Sequence, residues 1–141
     1  MEQRLSLITL GVEDLRRSRS FYEQGLGWRP SPASNREIVV FQLGGIALAL
    51  YPRTDLARDA NLTLGEGFGG MALAHNVRNK GEVDKVLAKA KSASAKILRP
   101  AGDTFWGGYS GCFADLDGHP WEVAWNPHWP LDEDGAIQLP A

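Results

Sequence analysis

Hydrophobic and polar positions alternate along this chain with two periods. In Pro120 to Asn126, Trp121, Val123 and Trp125 alternate with Glu122 and Ala124, the period-two pattern of a strand whose faces meet different surroundings. Tyr109 to Ala114, just before it, also reads as a strand. Asp115-Leu116-Asp117-Gly118 between the two supplies turn chemistry, Asp bonding its own backbone and Gly taking a positive φ. Leu5 to Val12 predicts a further strand, with Ile8, Leu10 and Val12 on one face and Leu7, Thr9 and Gly11 on the other. Asp14 then caps a helix over Leu15 to Gln24, which Gly25-Leu26-Gly27 ends. Glu37 to Leu43 and Ile46 to Tyr51, joined by Gly44-Gly45, form a second hairpin. Met71 to Val77 reads as a strand, and Ala95 to Leu98 as a short strand ended by Pro100. Lys80 to Ala93 has the helical period, placing Val83, Val86, Leu87 and Ala90 on one side.

The order strand, helix, short strand, hairpin occurs twice. Val12-Glu13-Asp14 opens the first helix and Val77-Arg78-Asn79 the second, about 65 residues later, so two copies of one unit are expected. The predicted fold is α+β: two βαβββ modules forming curved mixed sheets around a cavity, with the helices outside. Residues 1–141 are taken as a single domain, with module one at about 5–51, a Pro- and Gly-containing linker at about 52–69, module two at about 70–127, and an extended tail at 128–141.

Strand parity separates bulk from small side chains. Ile8, Leu10, Leu48, Leu50, Met71, Leu73, Trp121, Val123 and Trp125 are expected to face the helices. Leu7, Thr9, Ala47, Ala49, Tyr51, Gly70, Ala72, Ala74, Glu122 and Ala124 take the other face. An exposed sheet face carries more charge and threonine than this, so the small residues predict room for a ligand. Glu122 is the one carboxylate placed there. In an apolar cavity it must find a partner or have its pKa raised. It can serve as a metal ligand, a general base, an anchor for a ligand, or a structural bond to Thr9 or the backbone.

Composition narrows the partners. The formal net charge of −2 gives no argument for nucleic acid, and Arg16, Arg17 and Arg19 lie beside Asp14 and Glu23, as on a solvated helix face. The single cysteine, Cys112, excludes an intrachain disulfide and reads as a buried, inert thiol. No apolar run approaches the roughly 20 residues needed to cross a bilayer, and Met1-Glu2-Gln3-Arg4 leads into a strand rather than a signal peptide. A cytoplasmic protein with no membrane partner is expected.

The chain resembles the vicinal oxygen chelate superfamily, which includes glyoxalase I, bleomycin-resistance proteins and extradiol dioxygenases. The likeness lies in Leu10-Gly11-Val12-Glu13-Asp14-Leu15, Ser20-Phe21-Tyr22, Leu26-Gly27-Trp28 and Phe113-Ala114-Asp115-Leu116-Asp117-Gly118-His119-Pro120-Trp121-Glu122, and covers about residues 5 to 127. The resemblance implies the fold but not a reaction. Metal-bearing members hold a divalent ion through four inward His, Gln or Glu side chains. Those positions fall here on Leu7, Ala49, Gly70 (or Met71) and Glu122, and one carboxylate is too few for such an ion. His75 has helix-facing parity, His119 lies in a turn and His128 in the tail, so none is expected to complete the set; Asp115 and Asp117 lack the other ligands of a calcium loop.

The resemblance therefore implies a metal-free, cofactor-free binding protein of the resistance type, sequestering an aromatic or heterocyclic ligand. Its binding residues are expected to be Thr9, Tyr51, Phe105, Trp106, Tyr109 and Glu122, with Gly107-Gly108 letting the segment that carries Trp106 move over the mouth. Trp106 plugging the end of the cavity is the plain alternative, and Trp121 and Trp125 are read as helix-packing core. The competing function is a glyoxalase-type lyase or isomerase with Glu122 as metal ligand or general base; a module with no ligand is the third. Homodimers are expected from the resemblance.

Overall fold

A computed structural model describes residues 1, 3 and 6–139. The chain forms two compact units, Met1–Gly69 and Gly70–Ala141. Both are α+β and both are built on a mixed sheet.

The first unit contains β1 (Leu7–Val12), α1 (Leu15–Ser20), a π-helical turn (Phe21–Gly25), β2 (Val39–Leu43), β3 (Ile46–Pro52) and α2 (Arg53–Asp59). Leu5, where the first strand was expected to begin, lies outside the described residues. The sheet order is β1-β3-β2, with β1 parallel and β2 antiparallel to β3. The Asp14 carboxylate accepts from the N–H groups of Arg16 and Arg17 and starts α1. Tyr22 packs 5.9 Å from Phe41, which pairs with Leu48. The α1 side of this sheet is therefore the Ile8, Leu10, Leu48 and Leu50 face, as the period-two pattern predicts. Leu10, Val12, Tyr22, Val39, Phe41, Leu48 and Leu50 are buried there, each large side chain contributing roughly 1.5–3 kcal/mol of transfer free energy.

The structure departs from expectation at three places in this unit. The short strand expected after the first helix is a single bridge, Pro30 to Phe41, because Pro30 and Pro32 have no N–H to donate. The strand expected from Glu37 starts at Val39, since Asn35 Oδ1 takes the Glu37 and Ile38 N–H groups into a turn. The expected linker holds the helix α2, which packs on β1: a Cβ added to Gly11 would lie 3.0 Å from Arg53 Cβ.

The second unit contains β4 (Leu73–Asn76), α3 (Lys80–Ser92), β5 (Lys96–Asp103), β6 (Tyr109–Ala114) and β7 (Pro120–Trp125). Its order is β4-β7-β6-β5, with β4 parallel to β7 and the other pairs antiparallel. Asn79 caps α3 through the Glu82 N–H, while the Glu82 carboxylate accepts from the Arg78 N–H, a reciprocal box. Helix α3 buries Val83, Leu87 and Ala90 against the sheet face that carries Gly111. A Cβ there would fall 2.5 Å from Leu87 Cδ1. The β6–β7 turn closes on Asp115, which is buried and accepts from Asp117 N–H, His119 N–H and His119 Nδ1.

Two expected boundaries move here as well. The strand expected from Met71 starts at Leu73. The strand expected to stop at Pro100 runs to Asp103, with register shifts between Ile97 and Arg99 and between Arg99 and Gly102. An edge strand tolerates a proline at such an irregularity. The tail is not merely extended: Leu131 bridges to Ile137, and the Arg78 guanidinium donates to the carbonyls of Leu131, Asp132 and Glu133.

Candidate functional site

The second sheet has one face under α3 and one face turned away from it. Cross-strand pairing places Arg99, Cys112, Glu122 and Ala74 in a single row across β5, β6, β7 and β4 on the face away from α3. Ser110, Ala124 and Asn76 form the next row. Glu122 thus has the parity read from the sequence, but it is not solitary. Arg99 Nη2 lies 3.8 Å from its carboxylate, with the two side chains 48% and 40% exposed. At that separation and exposure the pair is a weak, screened attraction. The guanidinium is held elsewhere, donating to the Ser110 carbonyl and Oγ, both at 2.9 Å, and to Cys112 Sγ at 3.5 Å. Cys112 is accordingly half-buried in a polar setting, not packed away as an inert thiol.

An open cleft of about 460 Å³ lies over this face. Ala74, Asn76, Glu122 and Ala124 come from the sheet, and Trp106, Asn126, His128 and Trp129 from the segments around it. The Asn126 carboxamide accepts from the His128 N–H, and the Asn126 carbonyl from the Trp129 N–H, an Asx-type turn that presents both side chains. His128 Nε2 would sit 3.8 Å from a Cβ on Gly107, so the tail meets the β5–β6 turn. That turn is pinned by Thr104, whose Oγ1 accepts from Gly108 N–H and whose N–H donates to the Gly108 carbonyl. A Cβ on Gly108 would fall 1.7 Å from Trp106 Cζ3. The second glycine therefore makes room for the indole, a role the expectation of a hinge did not include.

The other expected binding residues are dispersed. Tyr109 pairs with Trp125 and donates to Asp84 of α3 at 2.8 Å. It lies on the helix side, so its assignment to the ligand face is corrected: β6 parity opposes Tyr109 to Ser110 and Cys112. The bond to Asp84 raises the Tyr109 pKa above its ordinary value, with smaller contributions from burial and the Asp84 charge. Phe105 is fully exposed at the turn and does not line the cleft. Thr9 and Tyr51 belong to the first unit, where they line a separate cleft of about 360 Å³ with Glu37, Ile38, Leu56 and Asp59. Tyr51 there donates to Asp59 at 3.1 Å, and this bond is the main cause of its raised pKa.

Sequence reasoning missed Arg99, Asn76, Asn126 and Trp129, and placed His128 in a tail remote from the chemistry. The signal for Asn126 was its Asx-turn chemistry ahead of His128. No local signal gave Arg99, because its register follows a strand irregularity.

The two sheets share a register that tests the metal-ligand positions. Asp14 and Asn79 cap equivalent helices 65 positions apart, so Thr9 corresponds to Ala74. Thr9 pairs with Ala49, and Ala74 with Glu122; Ala49 is therefore the counterpart of Glu122. By the same offset Leu7 corresponds to Ala72 rather than to Gly70 or Met71, and all three precede β4. Leu7, Ala49 and Ala72 offer no side-chain donor. Among the described residues no three His, Cys, Asp or Glu side chains gather as a metal-binding group. This donor set does not fit a divalent ion held by four inward side chains. His75, on the α3 side of β4, remains partly exposed, yet burial of its ring lowers its pKa, with Glu82 opposing.

Among the described residues no helix is long and apolar enough to cross a membrane. The chain is similar over 99% of its length, at 41% identity and a TM-score of 0.92, to the whole of a glyoxalase-related enzyme from Fulvimarina pelagi. A hypothetical protein of S. aureus is 25% identical, with a TM-score of 0.78, covering 89% of this chain and 95% of that one. A lactoylglutathione lyase from Agrobacterium tumefaciens shares the fold at 19% identity and a TM-score of 0.67, covering 89% and 95%. No curated protein matches the chain. The family model described as Glyoxalase/Bleomycin resistance protein/Dioxygenase superfamily matches residues 4–123, and the chain belongs to that superfamily.

Proposed function

We propose that this protein binds a small aromatic or heterocyclic molecule in the cleft of its second unit, without a metal, and sequesters it. The observation that carries the reading is the pairing of two indoles, Trp106 and Trp129, with the Glu122 carboxylate in one cleft of about 460 Å³. That volume suits a drug-sized ligand, and a few polar groups in a largely apolar lining are what fix its orientation. An aromatic ring stacked on an indole gains roughly 0.5–1.5 kcal/mol beyond its area burial. Titrating aromatic compounds against tryptophan fluorescence tests this. Binding at micromolar concentration that Trp106→Ala weakens about tenfold is the expected result, and no binder at high micromolar concentration sinks it. Homodimerisation belongs to the same reading and is measured by light scattering.

A second reading is favoured by the similarity to the glyoxalase-related enzyme from Fulvimarina pelagi. Here Glu122 is a general base that takes a proton from a carbon acid seated between the indoles. Glu122→Gln then abolishes turnover and leaves the fold intact. A stoichiometric metal in the purified protein would instead make Glu122 a ligand, and both metal-free readings would fall.

A further inference from the structure

We infer that the ligand of this cleft carries a positive charge on or beside its ring, an inference that rests on the reading of the cleft as a ring-binding site. The argument is the charge inventory of the lining. Glu122 is the one carboxylate in it, Asn76 and Asn126 contribute neutral amides, no lysine or arginine is present, and His128 is the one lining group that can take up a positive charge. The indole faces of Trp106 and Trp129 are negative at their centres and attract cations, most strongly in partly dehydrated sites. A carboxylate with two indoles in one concave lining is the chemistry that recognises quaternary ammonium and N-alkylated heterocycles.

Arg99 is the group that argues against a cation, and its geometry limits it. It lies outside the cleft lining, is committed to Ser110 and Cys112, and stands beyond hydrogen-bond distance from Glu122 at 3.8 Å. A cation arriving from the cleft can approach the carboxylate more closely than Arg99 does. An anionic ring, by contrast, would meet Glu122 with no permanent cation in the lining, only the His128 imidazole, to offset the repulsion.

Three probes of one ring size separate the charges: N-methylquinolinium, quinoline and quinoline-2-carboxylate, each titrated by calorimetry into the full chain. N-methylquinolinium is expected to bind roughly tenfold more tightly than quinoline, and the carboxylate most weakly. Glu122→Gln is expected to reduce the preference by weakening N-methylquinolinium binding several-fold. Equal affinity for quinoline and its N-methyl cation overturns the charge inference and leaves the ring-binding reading standing. Tightest binding of quinoline-2-carboxylate overturns it in favour of Arg99. A preference for the cation that is unchanged in both Glu122→Gln and Trp106→Ala, with the fold verified by circular dichroism, does not come from this cleft and overturns it as well. If no probe binds, the charge inference falls together with the ring-binding reading.

Discussion

Ala49 in the first sheet and Glu122 in the second occupy one register position in two sheets whose first three strands share one order, the second sheet adding β5 at its edge. Ala49 is fully buried. Glu122 keeps 40% of its side chain exposed and has Arg99 beside it. The faces around them differ in kind. The first carries Leu7, Thr9, Ala47 and Tyr51, with α2 packed at Gly11. The second carries Ala74, Asn76, Ser110 and Cys112 under an open cleft. A repeated backbone thus holds a buried alanine at this position in one copy and an accessible carboxylate in the other, and the difference lies in a few side chains. The same pairing register matches Val39, paired with Leu50, to Gly111, paired with Val123. The first unit has a β-branched core residue where the second can hold no side chain.

Breaking this comparison at its centre gives the largest effect. Ala49→Glu places the carboxylate of the second sheet into the buried site of the first, and should destabilise the chain by about 3 kcal/mol or more, as for a charge buried without a partner. Urea denaturation reads this, and a wild-type midpoint would refute the equivalence. Gly111→Ala tests the other matched pair. The added methyl meets Leu87 and the Ala101 backbone N, 2.9 Å away, for an expected loss of about 1–3 kcal/mol. A neutral result in thermal melts would mean that α3 shifts freely on the sheet.

The helix starts sharpen the comparison at lower cost. Asp14→Ala and Asn79→Ala should each lose about 1 kcal/mol. Asn79→Ala should lose more, because Asn79 Nδ2 also donates to Glu82 at 3.0 Å. Denaturant midpoints in the reverse order would show that the capping box adds nothing. The smallest effect is that of His75, whose folded pKa lies below the ordinary 6.5. The unfolded chain then binds the proton first, so this contribution is complete above pH 6.5 and is lost as pH falls through the folded value. His75→Gln should flatten that part of a stability–pH curve. Exposure of the ring keeps the effect small.

Much of this architecture was legible in local pattern. Trp121, Val123 and Trp125 against Glu122 and Ala124 gave the phase of β7, and Asp14 and Asn79 gave both helix starts. The errors have identifiable physical causes. Proline and glycine between Pro52 and Gly70 concealed α2, whose seven residues pack Leu56 toward Gly11. Pro100 was taken as the end of a strand that continues along a sheet edge. Tyr109 was grouped with the aromatics of its neighbourhood rather than by its own parity in β6. The site was less legible than the fold, since Arg99, Asn76 and the Asn126–Trp129 turn come from three separate segments.

By itself, the sequence determined which faces the strands present and where the helices begin, because side-chain alternation and capping act over a few neighbouring residues. Only the tertiary structure decided that Arg99 would share a row with Cys112 and Glu122, and that the tail would bring His128 and Trp129 to the same cleft. Those meetings depend on pairing register across an irregular edge strand and on the Arg78 tether to distant carbonyls. They are long-range choices that no local period encodes.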